Sequence, residues 1–265
     1  MFSGGLAKKQ RQSRIRWAIY VSSVALVVGL ALIADWANLQ KTLANPDVAA
    51  GLFPDIILLA ARNTLIFTAV GFTGGFVIAM TMALMRISKI RAFRIVSTVY
   101  IEVLRGLPLL LTIILIGLGL PIGIAGFRQM PIFWRGVIAL ALVTGAYMAE
   151  TIRAGIESVP PGQNEAGRSL GLSKSQTMRW IVLPQALRTI IPPLTNEFVI
   201  LIKDTSLISV LGVTASTKEL TRFAREEVIS NANATPLIVA GLVYLALTIP
   251  LTQVARRLET KQGRV

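Results

Sequence analysis

Glu165-Ala166-Gly167, then Gly171, then Ile181-Val182-Leu183-Pro184 is the stretch that decides how the rest of the chain reads. It lies in a basic, polar segment between two apolar runs. Glu165 to Gly171 is six residues, and Gly171 to Ile181 is ten. Pro160-Pro161-Gly162 ends whatever helix precedes it. The spacing predicts a helix of about two turns over 163–170, with Glu165 in the first turn, where the helix dipole favours an anion. Gly171 suits the left-handed position that closes a helix. Ser173 followed by Gln176 reads as a capping box opening the next one. A short helix held between two stops is a rigid knob, and small Ala166 and Gly167 would let a partner backbone approach. The plainer alternative is an ordinary surface helix-turn-helix.

Composition sets the class around that knob. The chain has 265 residues, of which 54% are hydrophobic and only 15% charged; mean hydropathy is +0.66. Soluble domains carry about 25% charged residues. Apolar runs long enough to cross ~30 Å of hydrocarbon lie near 17–34, 61–85, 96–120, 132–151, 183–202 and 236–254. All six are expected to be helices, because an open strand edge cannot sit in lipid. The fold class is therefore an all-α polytopic membrane protein with about six transmembrane helices.

A net charge of +14 first suggests nucleic acid. Its distribution argues otherwise. Lys8, Lys9, Arg11, Arg14 and Arg16 precede the first span, and Arg86, Lys89, Arg91 and Arg94 follow the second. Arg153, Arg168, Lys174 and Arg179 follow the fourth, and Arg256, Arg257, Lys261 and Arg264 follow the sixth. That side has seventeen basic residues; the opposite loops have five, namely Lys41, Arg128, Lys218, Arg222 and Arg225. The positive-inside rule then puts both termini and the 153–180 loop in the cytoplasm. The charge needs no nucleic-acid partner. The first apolar run, about 18 residues, is too long for a signal-peptide core, and no small-x-small cleavage site follows Ala34-Asp35-Trp36. It reads as a retained anchor.

Absences narrow the chemistry. The chain has no histidine and no cysteine, which removes His-based acid–base catalysis and His or Cys metal ligation. It has no Gly-x-x-x-x-Gly-Lys-Ser/Thr loop and no Gly-x-Ser-x-Gly elbow, so neither ATP binding nor hydrolase chemistry is expected of it. No cofactor and no metal are expected.

With that context, the opening stretch resembles the cytoplasmic EAA loop of ABC importer permeases: Glu-Ala-Ala, three residues, Gly, nine residues, Ile-x-Leu-Pro. Gly167 in place of the second Ala is the one departure. The resemblance implies that Glu165, Ala166, Gly167, Gly171, Ile181, Leu183 and Pro184 belong to a coupling loop that docks on an ATPase subunit. Further stretches resemble the polar amino acid branch: Glu102-x-x-Arg105-Gly106-x-Pro108-Leu109, Ala146-Tyr147-x-x-Glu150-x-x-Arg153, Gly162-Gln163-x-Glu165-Ala166, and Asn196-Glu197-Phe198 with Lys203-Asp204-Thr205-Ser206. Together they cover roughly residues 60–255, and residues 1–55 resemble nothing. The family implies a five-helix core, a second permease subunit (identical or homologous), cytoplasmic ATPase subunits, an extracytoplasmic amino acid-binding protein and the inner membrane of a prokaryote. The implied layout is a basic tail at 1–16, an added helix and external loop at 17–55, and a permease domain at 56–265 with its loop at about 158–184.

Two further sets of residues are candidates. Glu102/Arg105 and Glu150/Arg153 are each spaced i,i+3 on a helix, so each pair can meet on one face. They are solvated interface charge or a cytoplasmic gate. Glu197 lies within the fifth span, where a carboxylate must face protein, water or a partner charge. With Asn196, Lys203, Asp204, Thr205 and Ser206 it forms a candidate substrate path, or else a polar clamp. Gly71 and Gly75 form a close-packing face. Lys218 to Glu227 reads as a solvated external helix. A secondary transporter driven by an ion gradient is the alternative; it should carry inverted repeats, and no convincing repeat is present.

Overall fold

The computed structural model describes residues 4–212 and 214–262. Residues 1–3 of the expected basic tail, and Arg264, lie outside the described residues. The chain divides into two units, Met1–Pro46 and Asp47–Val265.

In the first unit, α1 (Gly4–Ile33) is a single helix, so the backbone of the expected tail continues into the first span. Residues 15–33 are long and apolar enough to cross a membrane. The expected external loop at 35–55 is in fact partly helical. The Asp35 side chain accepts from Asn38 N at 3.0 Å and caps α2 (Trp36–Leu43). A further short helix, α3 (Pro46–Gly51), begins at the last residue of this unit and lies otherwise in the second.

The second unit is all-helical among the described residues. Its elements are α4 (Ile56–Arg86), α5 (Arg91–Gly106), α6 (Leu109–Gly123), α7 (Ala125–Gln129), α8 (Ile132–Glu157), α9 (Pro161–Ser169), α10 (174–204), α11 (Leu220–Asn231) and α12 (Thr235–Gln262). Here α4, α8 and α12 are each long and apolar enough to cross a membrane. The expected span at 96–120, with its expected bend at Pro108, is two helices: α5 and α6 are bent by 108° at the break between them. Leu107 and Pro108 adopt extended backbone between them, as a residue and its following proline favour. The expected fifth span is present as helix, but α10 is not among the described helices apolar enough to qualify by composition. It carries Arg188, Asn196, Glu197, Lys203 and Asp204.

Prolines shape these helices without ending them. Leu183 N–H bonds to Met178 O, five residues back, just before Pro184. Leu120 N–H bonds likewise to Leu115 O, just before Pro121. The widened turn makes room for a ring that would otherwise collide with the carbonyl four residues behind it. Pro192 and Pro193 lie inside α10, which continues through them.

The core forms where α4 crosses α8. A Cβ on Gly75 would lie 3.1 Å from Ala141 O, and one on Gly145 would lie 3.1 Å from Gly75 O. The backbones touch there, so the Gly71/Gly75 face is used within the chain. Around this contact Phe67, Ile113, Leu140, Leu201 and Ile208 are fully buried toward one end, and Ala83, Ile101, Met148 and Ile152 toward the other.

The 218–227 segment departs from the solvated helix expected of it. Leu220, Phe223 and Ala224 are buried against Leu52, Ile56 and Ala240. Glu219 is completely buried, and its carboxylate caps α11 by accepting from Thr221 N at 2.6 Å and Arg222 N at 2.7 Å. Leu220 N donates to Thr64 Oγ1, and Asn63 Nδ2 donates to the Ser216 and Lys218 carbonyls.

Candidate functional site

The expected coupling loop folds as a knob held by its own backbone. Helix α9 begins with Pro161 at its first position, where a missing N–H costs nothing. That start is two residues earlier than the sequence suggests, so Glu165 falls in the second turn. Glu165 is therefore beyond the first turn, where the helix dipole acts. At the other end Gly171 adopts φ +83°. Leu172 N bonds to Gly167 O, and Gly171 N to Arg168 O. This is a Schellman closure, which needs a left-handed residue at that point. The capping box is present as expected: Ser173 Oγ accepts from Gln176 N at 3.2 Å, and Gln176 Oε1 accepts from Ser173 N at 2.8 Å.

Gly167 has a different role from the one its size suggests. It is buried, and a Cβ there would lie 2.8 Å from both Ile181 Cδ1 and Thr177 Cγ2. It admits the chain's own α10 rather than a partner backbone. Ile181 is thus the side chain that seats α9, and this ties the front of the stretch to its end. Glu165, Ala166, Leu183 and Pro184 are exposed. Leu170 at the tip is 80% exposed. Sequence reading passed over it, although an apolar residue just before the closing glycine was a usable signal. The knob's flank is basic: Lys89 and then Arg168, beside Lys174, hold that ammonium below its ordinary pKa.

Of the two candidate gate pairs, one forms. Arg153 Nε donates to Glu150 Oε2 at 2.9 Å, and Arg153 also pairs with Glu157. Glu102 and Arg105 do not pair. Glu102 lies 3.8 Å from Arg86 on α4, and Arg105 sits over the Tyr147 ring at 5.4 Å. Cross-helix partners outcompete a weak local pair. Charges from α4, α5 and α8 therefore gather at the end of the bundle that carries α9.

The substrate-path candidates separate into two groups. Asn196 and Lys203 are exposed, while Glu197, Asp204 and Ser206 are half-buried. Glu197 makes no hydrogen bond or ion pair with any described residue; the charges acting on it are those of Asp204 and Arg105. Asp204, seven residues on, shares its helix face. Lys203 is not its counter-charge in this chain. Thr205 is fully buried and donates to Ile202 O at 2.6 Å, so its hydroxyl is already committed. Phe198 beside Glu197 packs edge-on against Phe72 of α4 at 5.2 Å.

Among the described residues no group of three or more Asp, Glu, His or Cys could hold a metal. The family model for the inner membrane component of binding-protein-dependent transport systems matches residues 71–264. The glutamine transport system permease protein GlnP of Escherichia coli (strain K12) is 38% identical over 215 residues, 80% of this chain and 96% of that protein. The arginine transport system permease protein ArtQ of Bacillus subtilis (strain 168) is 35% identical over 220 residues, 82% and 97% of the two chains. The crystal structure of an amino acid ABC transporter with histidines contains a chain that superposes with a TM-score of 0.69 at 34% identity, covering 86% of this chain and 99% of that one.

Proposed function

This chain belongs to the family of inner membrane components of binding-protein-dependent transport systems, and from that premise we propose that it is the membrane-spanning subunit of an ATP-driven importer of polar amino acids. The subunit has no ATPase loop of its own; hydrolysis belongs to a partner. The observation that carries this reading is the knob at 161–171. It is rigid at both ends, seated on α10 through Gly167 and Ile181, and its outer face is exposed around Glu165, Ala166 and Leu170. A force on it passes directly into the helix that bears Glu197 and Asp204.

The mechanism follows from that connection. Cytoplasmic ATPase subunits grip the knob. On binding ATP they close and displace α9, and with it α10. The bundle, paired with a second permease subunit, switches from inward- to outward-facing and accepts an amino acid from an extracytoplasmic binding protein. Glu197 and Asp204 offer two carboxylates on one face to the substrate's ammonium, or to a cationic side chain. Arg105 reaches Glu197 with its charge, while Glu150 and Arg153 lie on α8 toward the end that leads into α9. Both termini face the cytoplasm of a prokaryotic cell.

The relatives named for glutamine and arginine support a polar amino acid without choosing one. The test is reconstitution with the ATPase and binding protein in vesicles, and uptake of labelled glutamine, arginine and glutamate. ATP-dependent uptake that requires the binding protein is expected. Uptake that follows an imposed ion gradient without ATP would restore the secondary-transport alternative.

A further inference from the structure

At the turn between α4 and α5 three guanidinium groups border one pocket. Arg86 is the last residue of α4; Arg91 and Arg94 lie in the first turn of α5. The pocket, about 390 Å³, is completed by Ile95, Thr98 and Val99. Little in the protein satisfies these cations. Arg91 makes no hydrogen bond or ion pair with any described residue. Among the described residues Arg94 reaches only Ser88 O, at 3.5 Å. Arg86 has Nη1 buried without a partner, and its Nη2 lies no nearer than 3.8 Å to Glu102. A buried guanidinium N–H left unpaired is costly, and a planar donor fork matches phosphate oxygens.

A second feature says which phosphate. The apolar lining residues of the pocket, Ile95 and Val99, continue as a stripe along α5. Ile95, Val99 and Val103 succeed one another at i, i+4 and i+8, each about half exposed at 53, 56 and 51%. A free phosphate has no use for that stripe. A phospholipid does: its headgroup meets the guanidinium cluster and an acyl chain lies along Ile95, Val99 and Val103. The N-terminal turn of α5 adds its positive dipole end at the headgroup.

We infer that Arg86, Arg91 and Arg94 form a binding site for the phosphate headgroup of an anionic phospholipid, whose acyl chain lies on the exposed apolar stripe of α5. Basic pockets at the ends of membrane helices recognise such headgroups. The site requires only that the chain spans a membrane, so it stands or falls separately from the importer reading. It also has a consequence for the neighbouring charges. Arg86 is shared between the pocket and Glu102, so a bound phosphate draws Arg86 away from Glu102.

The test uses the full-length chain purified in detergent and mixed with phosphatidylglycerol or phosphatidylcholine, retention being read by native mass spectrometry. Wild-type protein should retain phosphatidylglycerol in preference to phosphatidylcholine. The double variant Arg91→Ala/Arg94→Ala should reduce that preference by roughly tenfold or more, the scale set by two interfacial charges. Arg91→Lys/Arg94→Lys should keep part of it, and Arg179→Ala, a basic residue elsewhere on this end, should leave it unchanged. Circular dichroism of each variant checks that the fold survives. Undiminished preference in the folded alanine double variant overturns the site. So does complete displacement of phosphatidylglycerol by millimolar inorganic phosphate, which would make it a free-anion site.

Discussion

The Tyr244 hydroxyl on α12 donates to Oε2 of Glu219 at 3.1 Å, and Glu219 in turn caps α11. One carboxylate thus joins the start of α11 to α12, and Leu220 N, next in sequence, is bound by Thr64 of α4. Burial pushes the Glu219 carboxyl up to about 7, against the pull of the Thr221 and Arg222 amides and the Tyr244 hydroxyl. Nearby, Lys218 and then Arg222 hold the Glu226 carboxyl below its ordinary value.

That opposition sets a pH dependence. The folded state holds a proton on Glu219 that the unfolded state gives up at ordinary carboxylate pH. Stability from this group is therefore complete at low pH and is lost as pH rises through about 7, by no more than about 3 kcal/mol. Protection factors of the 220–231 amides, exchange corrected for its base-catalysed intrinsic rate, should be higher at pH 5.5 than at pH 8. Glu219→Gln keeps an oxygen acceptor without the charge and should flatten the difference. Protection factors in the wild type that do not change over this window would show the carboxylate to be compensated by something else.

The coupling loop gives a prediction in two parts, because its glycines act by different means. Gly171→Val forces a branched residue into φ +83° and should cost roughly 1–3 kcal/mol of loop stability. Gly171→Asn should be tolerated much better, since asparagine visits that region. Gly167→Val instead collides with Ile181 and Thr177, and Ile181→Ala should partly rescue it. Substrate-stimulated ATPase activity of the reconstituted complex reads all four. Equal activity of the valine and asparagine variants at 171 would show that loop geometry does not limit coupling.

What could be read from sequence here, and what could not, follows the distance over which each feature is decided. The capping box of Ser173 and Gln176 and the closure at Gly171 were legible because their partners lie within a few residues. The start of α9 slipped by two positions, since Pro161 is as good a first residue as any after it. The partner of Glu102 was not legible. Arg86 is on another helix, and only the packing of α4 on α5 brings them together. Glu219 was misread for the same reason: its segment is charged and looks solvated, and burial comes from Thr64 and Tyr244 on other helices. The 108° bend was half legible, in that Pro108 marks the place and not the angle.

Topology can be tested by labelling. The charge asymmetry predicts that Ser173 lies inside and that Asn45 and Asn231 lie outside. Single cysteines are straightforward to introduce because the chain has none. Ser173→Cys should resist an impermeant thiol reagent in intact cells, while Asn45→Cys and Asn231→Cys should react. Ser173 is exposed, so resistance cannot come from burial. Labelling of Ser173→Cys from outside would invert the orientation and remove the loop from any cytoplasmic ATPase.

The substrate path gives the sharpest contrast, because three charges on α10 now have different standings. Glu197 and Asp204 share a face and are half-buried; Lys203 is exposed on another face. If the two carboxylates meet the substrate's cationic group, Glu197→Gln and Asp204→Asn each remove a charge-assisted hydrogen bond, worth about 1.5–3 kcal/mol, or roughly tenfold to a hundredfold in transport. Expression and thermal stability should hold or improve, since a half-buried carboxylate with no partner in the chain costs the fold. Lys203→Gln should leave transport near normal. A clamp predicts the reverse pattern, with stability falling in Glu197→Gln and transport per folded molecule unchanged. Uptake of labelled amino acid and thermal unfolding, measured side by side for the three variants, separate the two, and normal uptake in both carboxylate variants would take Glu197 and Asp204 off the translocation surface.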